Sequence, residues 1–379
     1  MKKYLLAPGP TAVSPEVLLS MAQPILHHRA PEFVELLKRV KEDLKWLFQT
    51  ENDVLILAST GTGGMEGSVS NFLSPGDKAL YINGGKFGER WGKICKGYGV
   101  LTEEIKVEWG CVVNPADVAA ALEKDPSIKA VFIQASETST GVAHPVKEVA
   151  EIVKNYDNCL MVVDAISAMG VFDVQTDTWG LDVVISGAQK ALALPPGLAF
   201  VSISEKGWRQ AEKCTNAKFY FDFKKERDAL RKNQTAYTAA VSLILGLEQS
   251  LKMMREEGRE AIFTRRATMA RALREGMEAI GLASFPKEGA SVSVTAISVP
   301  EGYDGQAIYK DLRVKYGITA AGGQDHLKGK VFRISNMGYL DTFDTITAVA
   351  AIEMVLKAMG YEIKLGTGVG VAQEILLKK

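Results

Sequence analysis

Three polar features stand at the ends of apolar runs and could carry chemistry. The run Val54-Leu55-Ile56-Leu57-Ala58 leads into Ser59-Thr60-Gly61-Thr62-Gly63-Gly64-Met65-Glu66-Gly67. Glycines there let backbone N–H groups approach an anion, and a helix start behind them favours negative charge. The spacing matches neither a dinucleotide fingerprint nor a nucleoside-triphosphate loop, so the loop read alone serves equally well as a tight structural turn. Asp164 closes the run Cys159-Leu160-Met161-Val162-Val163. An acid in that place can cap a helix, bind a metal or pair with a cationic ring. Scattered histidines and the lack of a carboxylate cluster offer a metal no evident ligand set. Lys190 follows Asp182-Val183-Val184-Ile185-Ser186, and Ala191 to Pro196 carry no charge. By itself it is either a solvated surface amine or a tuned one, and a tuned amine can form a Schiff base with an aldehyde cofactor.

These features need a scaffold. Short apolar runs at 54–58, 78–83, 130–135, 159–164, 182–186 and 198–204 read as buried strands, with helical stretches between several of them. Residues 31–48 place Phe33, Leu36, Leu37, Val40, Leu44 and Leu47 at helical spacing. Such alternation predicts an α/β domain with a largely parallel sheet. In such sheets ligands bind beyond the carboxyl ends of the strands, where all three polar features fall. After residue 236 the texture changes to long helices at 236–257 and 258–280. Strands are then expected at 293–299 and 330–335, and helices near 305–315 and at 341–358. The expected organisation is an extended N-terminal segment (1–18), a large domain (19–257) and a smaller α+β domain (258–379).

Composition sets outer limits. Lys and Arg total 45 against 45 Asp and Glu, so the net charge is zero, which disfavours a dedicated binder of nucleic acid or anionic membrane. Cys95, Cys111, Cys159 and Cys214 form no CxxC pair and read as reduced thiols. The N-terminus is broken early by Pro8, Gly9 and Pro10 and is not expected to act as a signal peptide. The best apolar run, Leu160 to Phe172, is short for a membrane span and contains Asp164. The expectation is a cytoplasmic protein.

An amine, an acid and an anion loop are together what pyridoxal 5'-phosphate needs: a lysine for its aldehyde, a carboxylate for its pyridinium nitrogen and donors for its phosphate. The sequence resembles the class V aminotransferases of fold type I, near the alanine–glyoxylate, serine–glyoxylate and serine–pyruvate enzymes. The likeness runs through most of the chain. It is carried by LLAPGPTAVSPEVL (5–18), STGTGGMEG (59–67), NGGKFGERW (83–91), ETSTGVAHP (137–145), VDAISAMG (163–170), SGAQKALALPPG (186–197), TAYTAAVSLILGLE (235–248) and FRISNMG (332–338).

The resemblance implies a large domain with a mainly parallel seven-stranded sheet between helices. It makes Lys190 the Schiff-base lysine and Asp164 the carboxylate facing the ring nitrogen. Thr60, Gly61 and Thr62 match the phosphate cradle, with Gln189 adding a side-chain contact. Phe87 falls where an aromatic ring stacks on the cofactor, a place where many relatives have Trp, and Thr138 matches a further polar cofactor contact. Thr238, with Tyr237 beside it, matches a phosphate contact supplied by the neighbouring subunit, which implies a homodimer with shared active sites. Arg333 matches the arginine that grips the substrate α-carboxylate, and Gly9 lies where backbone comes close to the substrate. One departure is visible: many relatives carry His two residues before the Glu of ETSTG, and this chain has Ala135.

The expected activity is transamination between alanine or serine and glyoxylate or pyruvate. Alternatives are an aminotransferase for aspartate, an aminophosphonate or an amine, a lyase on the same cofactor, or a nucleotide-binding or non-catalytic α/β protein. Residues 219–233 mix aromatics with basic side chains. Asp222, Glu226 and Asp228 dilute the charge, so a loop near the active-site mouth is expected in preference to a nucleic-acid surface. Cys214 is the last cysteine, which argues against a desulfurase nucleophile late in the chain.

Overall fold

A computed structural model describes residues 2–378. The helix Pro31–Phe48 starts on a proline, buries Phe33, Leu36, Leu37, Val40, Leu44, Leu47 and Phe48 along one stripe, and stops where Gln49 turns left-handed. Its stripe packs into a large apolar core that also takes both faces of the central sheet.

That sheet has seven strands, in the order Val54–Leu57, Ala199–Ile203, Val183–Gly187, Leu160–Asp164, Ile128–Gln134, Lys78–Asn83, Leu101–Lys106. Ala199–Ile203 runs antiparallel to both its neighbours, and the other pairings are parallel. Six of the strands are the apolar runs read in the sequence. The seventh, Leu101–Lys106, is an edge strand whose side chains are exposed or half-buried, so it carries no apolar run to announce it.

A second apolar core gathers Met269, Leu273 and Met277 of the helix Arg259–Ala279, Val349, Ile352 and Leu356 of the helix Thr342–Ala358, and Ile375 of the helix Thr367–Leu377. Phe332 and Ile334 enter it from the strand Val331–Ser335, the centre of a three-stranded antiparallel sheet with Val294–Ser298 and Ala321–Gly322. Arg333, between them, points to the other face.

The N-terminal segment links the two cores. Tyr4 and Leu5 pair in parallel with Ile318 and Thr319, and Leu6 enters the second core. Farther along, the Thr11 N–H donates to the Gln189 carbonyl at 3.2 Å and its hydroxyl donates to the Lys190 carbonyl at 2.8 Å. Residues 219–233 are not one loop. Asp222 caps a helix over Phe223–Leu230, accepting from the Lys224 and Lys225 N–H groups.

Candidate active site

Parallel strands deliver their following loops to one edge of the sheet, and a cavity of about 330 Å³ opens there. Each side has its own source. Thr60, Gly61 and Thr62 follow the strand Val54–Leu57, and Phe87 starts the helix after Lys78–Asn83. Thr138 follows Ile128–Gln134, Asp164 ends its own strand, and Gln189 and Lys190 follow Val183–Gly187. Gly9 closes the cavity from the N-terminal segment.

Burial tunes the two charged groups at its centre in opposite directions. Asp164 accepts the Ile166 N–H at 2.9 Å. Burial pushes its carboxyl up to about 6; the Ile166 bond opposes this, Glu137 adds to it, and Arg90 and Lys190 oppose it. Lys190 donates to the carbonyl of Pro8. Burial lowers its amine to about 8, with Asp164 opposing and Arg333 and Arg90 adding. A lysine shifted this way offers a neutral, nucleophilic amine near physiological pH. The loop behind it is tightly wound, with Ala193 at a left-handed φ of 50°.

The residues matched to a phosphate cradle open the helix Gly61–Phe72. Thr60 is its N-cap, and no side chain caps the turn, so the first N–H groups remain available to an anion. A Cβ at Gly61 would run into the Ile166 side chain. The amide oxygen of Gln189 is buried with no partner among the described residues, an acceptor open to a donor beside the cavity, whereas an anion there would need the amide N–H groups. Amine, acid and anion cradle therefore stand together on one cavity, and the residues present fit pyridoxal phosphate.

Three predicted site residues are not among those that line that cavity. Arg333 is buried beside it, near enough to act on the Lys190 amine, donating from Nη1 to the Thr138 carbonyl at 2.8 Å, and from Nε and Nη2 to the Gly322 carbonyl at 3.1 and 2.8 Å. Burial lowers its pKa to about 10, Glu137 opposes the shift, and the group stays cationic at neutral pH. Tyr237 and Thr238 line a separate cleft with Tyr220 and Phe221. Conversely, Arg90, Ser136, Ile166, Ser167 and Pro196 line the cavity without having been singled out in the sequence. Arg90 sits one helical turn beyond Phe87, with its guanidinium over the Phe87 ring at 4.8 Å and Nη1 donating to Thr62 Oγ1 at 3.0 Å. Its (i, i+3) spacing from Phe87 was the available signal.

Fold and site define a pyridoxal-phosphate enzyme of fold type I. A family model, Aminotransferase class-V, matches residues 3–348, and the chain belongs to that family of aminotransferases. A serine–glyoxylate aminotransferase of Hyphomicrobium methylovorum is 36% identical, covering 99% of this chain and 95% of the relative. The crystal structure of a ureidoglycine–glyoxylate aminotransferase from Bacillus subtilis superposes with a TM-score of 0.95 at 29% identity, over 100% of this chain and 99% of that one. A protein of a Synechococcus species named as the small subunit of a soluble hydrogenase is 43% identical, over 99% of this chain and 98% of its own. Among the described residues no three His, Cys, Asp or Glu side chains converge as a metal-binding group, and the four cysteines are free thiols.

Proposed function

We propose that this enzyme moves an amino group from alanine or serine to glyoxylate or pyruvate. The observation that carries the reading is the wall above Lys190. A Cβ at Gly9 would overlap Nζ and come within 2.8 Å of Cε, so the space around the amine suits a substrate with a short side chain. The similarity to a serine–glyoxylate aminotransferase supports the same choice.

When bound, pyridoxal phosphate supplies an aldehyde for the amine and a protonated ring that withdraws the electron pair left at the substrate Cα. Asp164 holds a proton at the ring nitrogen. Thr60, Gly61, Thr62 and Gln189 would hold the phosphate, Phe87 would lie against the ring, and Thr138 would supply a polar contact; all of them line the one cavity. Arg333 spends three of its five N–H donors on the Thr138 and Gly322 carbonyls, and the two that remain on Nη1 and Nη2 serve the substrate carboxylate. Lys190 Nζ, a buried amine whose pKa is lowered to about 8, would bind the aldehyde and, as a free amine, would move the substrate Cα proton. With the 2-oxo acid the same groups work in reverse. Tyr237 and Thr238 reach the phosphate site of a second copy, so the working unit is a homodimer.

Exposing the yellow enzyme to one amino acid at a time tests the substrate assignment. Alanine and serine should convert it to the pyridoxamine form, seen as loss of the visible band. Conversion by aspartate or simple amines, with alanine and serine inert, refutes it.

A further inference from the structure

The helix Lys86–Gly97, which carries Phe87, begins without a local cap, because Gly85 at its N-cap has no side chain. Its orphan N–H groups are met from the segment 137–139. Glu137 Oε2 accepts the Phe87 N–H at 3.1 Å and the Gly88 N–H at 2.9 Å. Glu137 Oε1 accepts the Ser139 N–H at 3.1 Å and the Ser139 hydroxyl at 2.5 Å. Ser139 Oγ in turn accepts the Lys86 N–H at 3.0 Å. Burial pushes the Glu137 carboxyl up, and the donors of Ser139, Gly88 and Phe87 oppose that shift; all partners of the carboxylate are donors, which suits an anion, and the helix N-terminus favours that charge. The fit leaves no slack: a Cβ at Gly85 would lie 2.5 Å from the Glu137 carboxyl carbon.

The same carboxylate faces the other wall of the site. Thr138, the next residue, lines the cavity, and its carbonyl seats Arg333 Nη1 at 2.8 Å. One buried anion therefore registers the aromatic wall against the peptide that holds the guanidinium.

We infer that Glu137 is a positioning residue for the reaction: as an anion it fixes the Phe87 ring and, through the Thr138 carbonyl, the Arg333 guanidinium at set positions around the cofactor. This rests on the roles proposed above for Phe87 and Arg333. A glutamine has the same shape but one acceptor oxygen, so it must abandon either the Phe87–Gly88 pair or the Ser139 pair.

The test uses the cofactor-loaded enzyme, with visible circular dichroism of the bound cofactor and steady-state kinetics for the amino donor. Glu137→Gln should weaken the dichroic band and raise KM about tenfold, with a smaller fall in kcat. Glu137→Asp, which keeps the charge on a shorter arm, should recover part of the band. A Glu137→Gln protein with wild-type dichroism and KM, or one altered only in thermal stability, overturns the inference. Should Glu137→Gln fail to fold, Ser139→Ala removes the two bonds made by the Ser139 hydroxyl and should move both readouts in the same directions, and wild-type values there overturn it. Arg333→Lys separates the two readings. A raised KM in that variant with none in Glu137→Gln refutes only the positioning role, whereas an unchanged KM refutes the role of Arg333 itself.

Discussion

The Lys190 amine donates to the carbonyl of Pro8, 182 residues earlier in the chain. A neutral peptide group holds the amine, so neutralisation of its charge is left to Asp164, and burial prevails in lowering its pKa to about 8. The segment that reaches this amine also pairs with Ile318 and Thr319 at its other end, so both cores bear on the reactive group.

Cofactor capture should quicken with pH. The neutral amine is the form that attacks the aldehyde, and burial moves its appearance from the ordinary lysine value of 10.5 to about 8. Stopped-flow absorbance on cofactor-free protein should show a rate rising about tenfold per pH unit below that value and levelling above it. A rate still climbing at that slope through pH 9.5 or so would contradict the depressed value.

Lys190→Ala should retain the fold yet lose the proton carrier. Half-reaction with alanine should slow by about 10²- to 10⁴-fold in single-turnover absorbance traces. Addition of a small free amine should restore part of the rate, because a diffusible base can enter the space vacated by the side chain.

Gly9→Ala meets two obstacles. The φ of 141° is one that L side chains rarely adopt, and the new methyl would overlap the Lys190 amine. Cofactor affinity, measured by absorbance titration, should fall, and the strain should cost about 1–3 kcal/mol in chemical denaturation. Unchanged affinity would show that the N-terminal segment moves aside at little cost.

Glu353, outside the site, should matter only to stability. Its buried carboxylate accepts the Gly366 and Gly368 N–H groups at 2.6 Å each and the Val369 N–H at 3.3 Å, closing the turn into the last helix. Glu353→Ala strands those donors and should destabilise the protein by about 2–3 kcal/mol in urea unfolding. The KM for the amino donor should stay at its wild-type value.

Thr238 lines a cleft apart from the Lys190 cavity, which suits service to a second copy. Subunits carrying Thr238→Asp and subunits carrying Lys190→Ala should each be nearly inactive alone. Random mixing should restore about a quarter of wild-type activity, since half of the dimers are mixed and each mixed dimer holds one intact site. No recovery on mixing, with exchange verified by mass, would place Thr238 in its own subunit's site.

Much of this protein was legible in one dimension. Six of the seven sheet strands are apolar runs, because strands covered on both faces must be apolar throughout, whichever way they pair. Lys190, Asp164 and the loop from Thr60 to Thr62 fall at or just beyond the carboxyl ends of such runs, and what joined them into one site was the resemblance to the class V aminotransferases. The strand Leu101–Lys106 was silent, since an edge strand can carry Glu103 and Glu104 in the open. The helix Thr367–Leu377 was silent too: three glycines among its first residues and the one before it conceal the period, and its start depends on Glu353 from another helix.

Apolar runs thus determined the layered fold, because that demand acts locally on composition and period, while the polar residues at their ends gained roles only through the family's motifs taken together. Tertiary structure alone decided three things. It seated Arg333 on the Thr138 and Gly322 carbonyls, brought Arg90 over Phe87, and made Glu137 the cap of a helix that begins 51 residues before it. Each is a contact between segments with no shared periodicity, and a buried charge finds its partners only once the chain has closed around it.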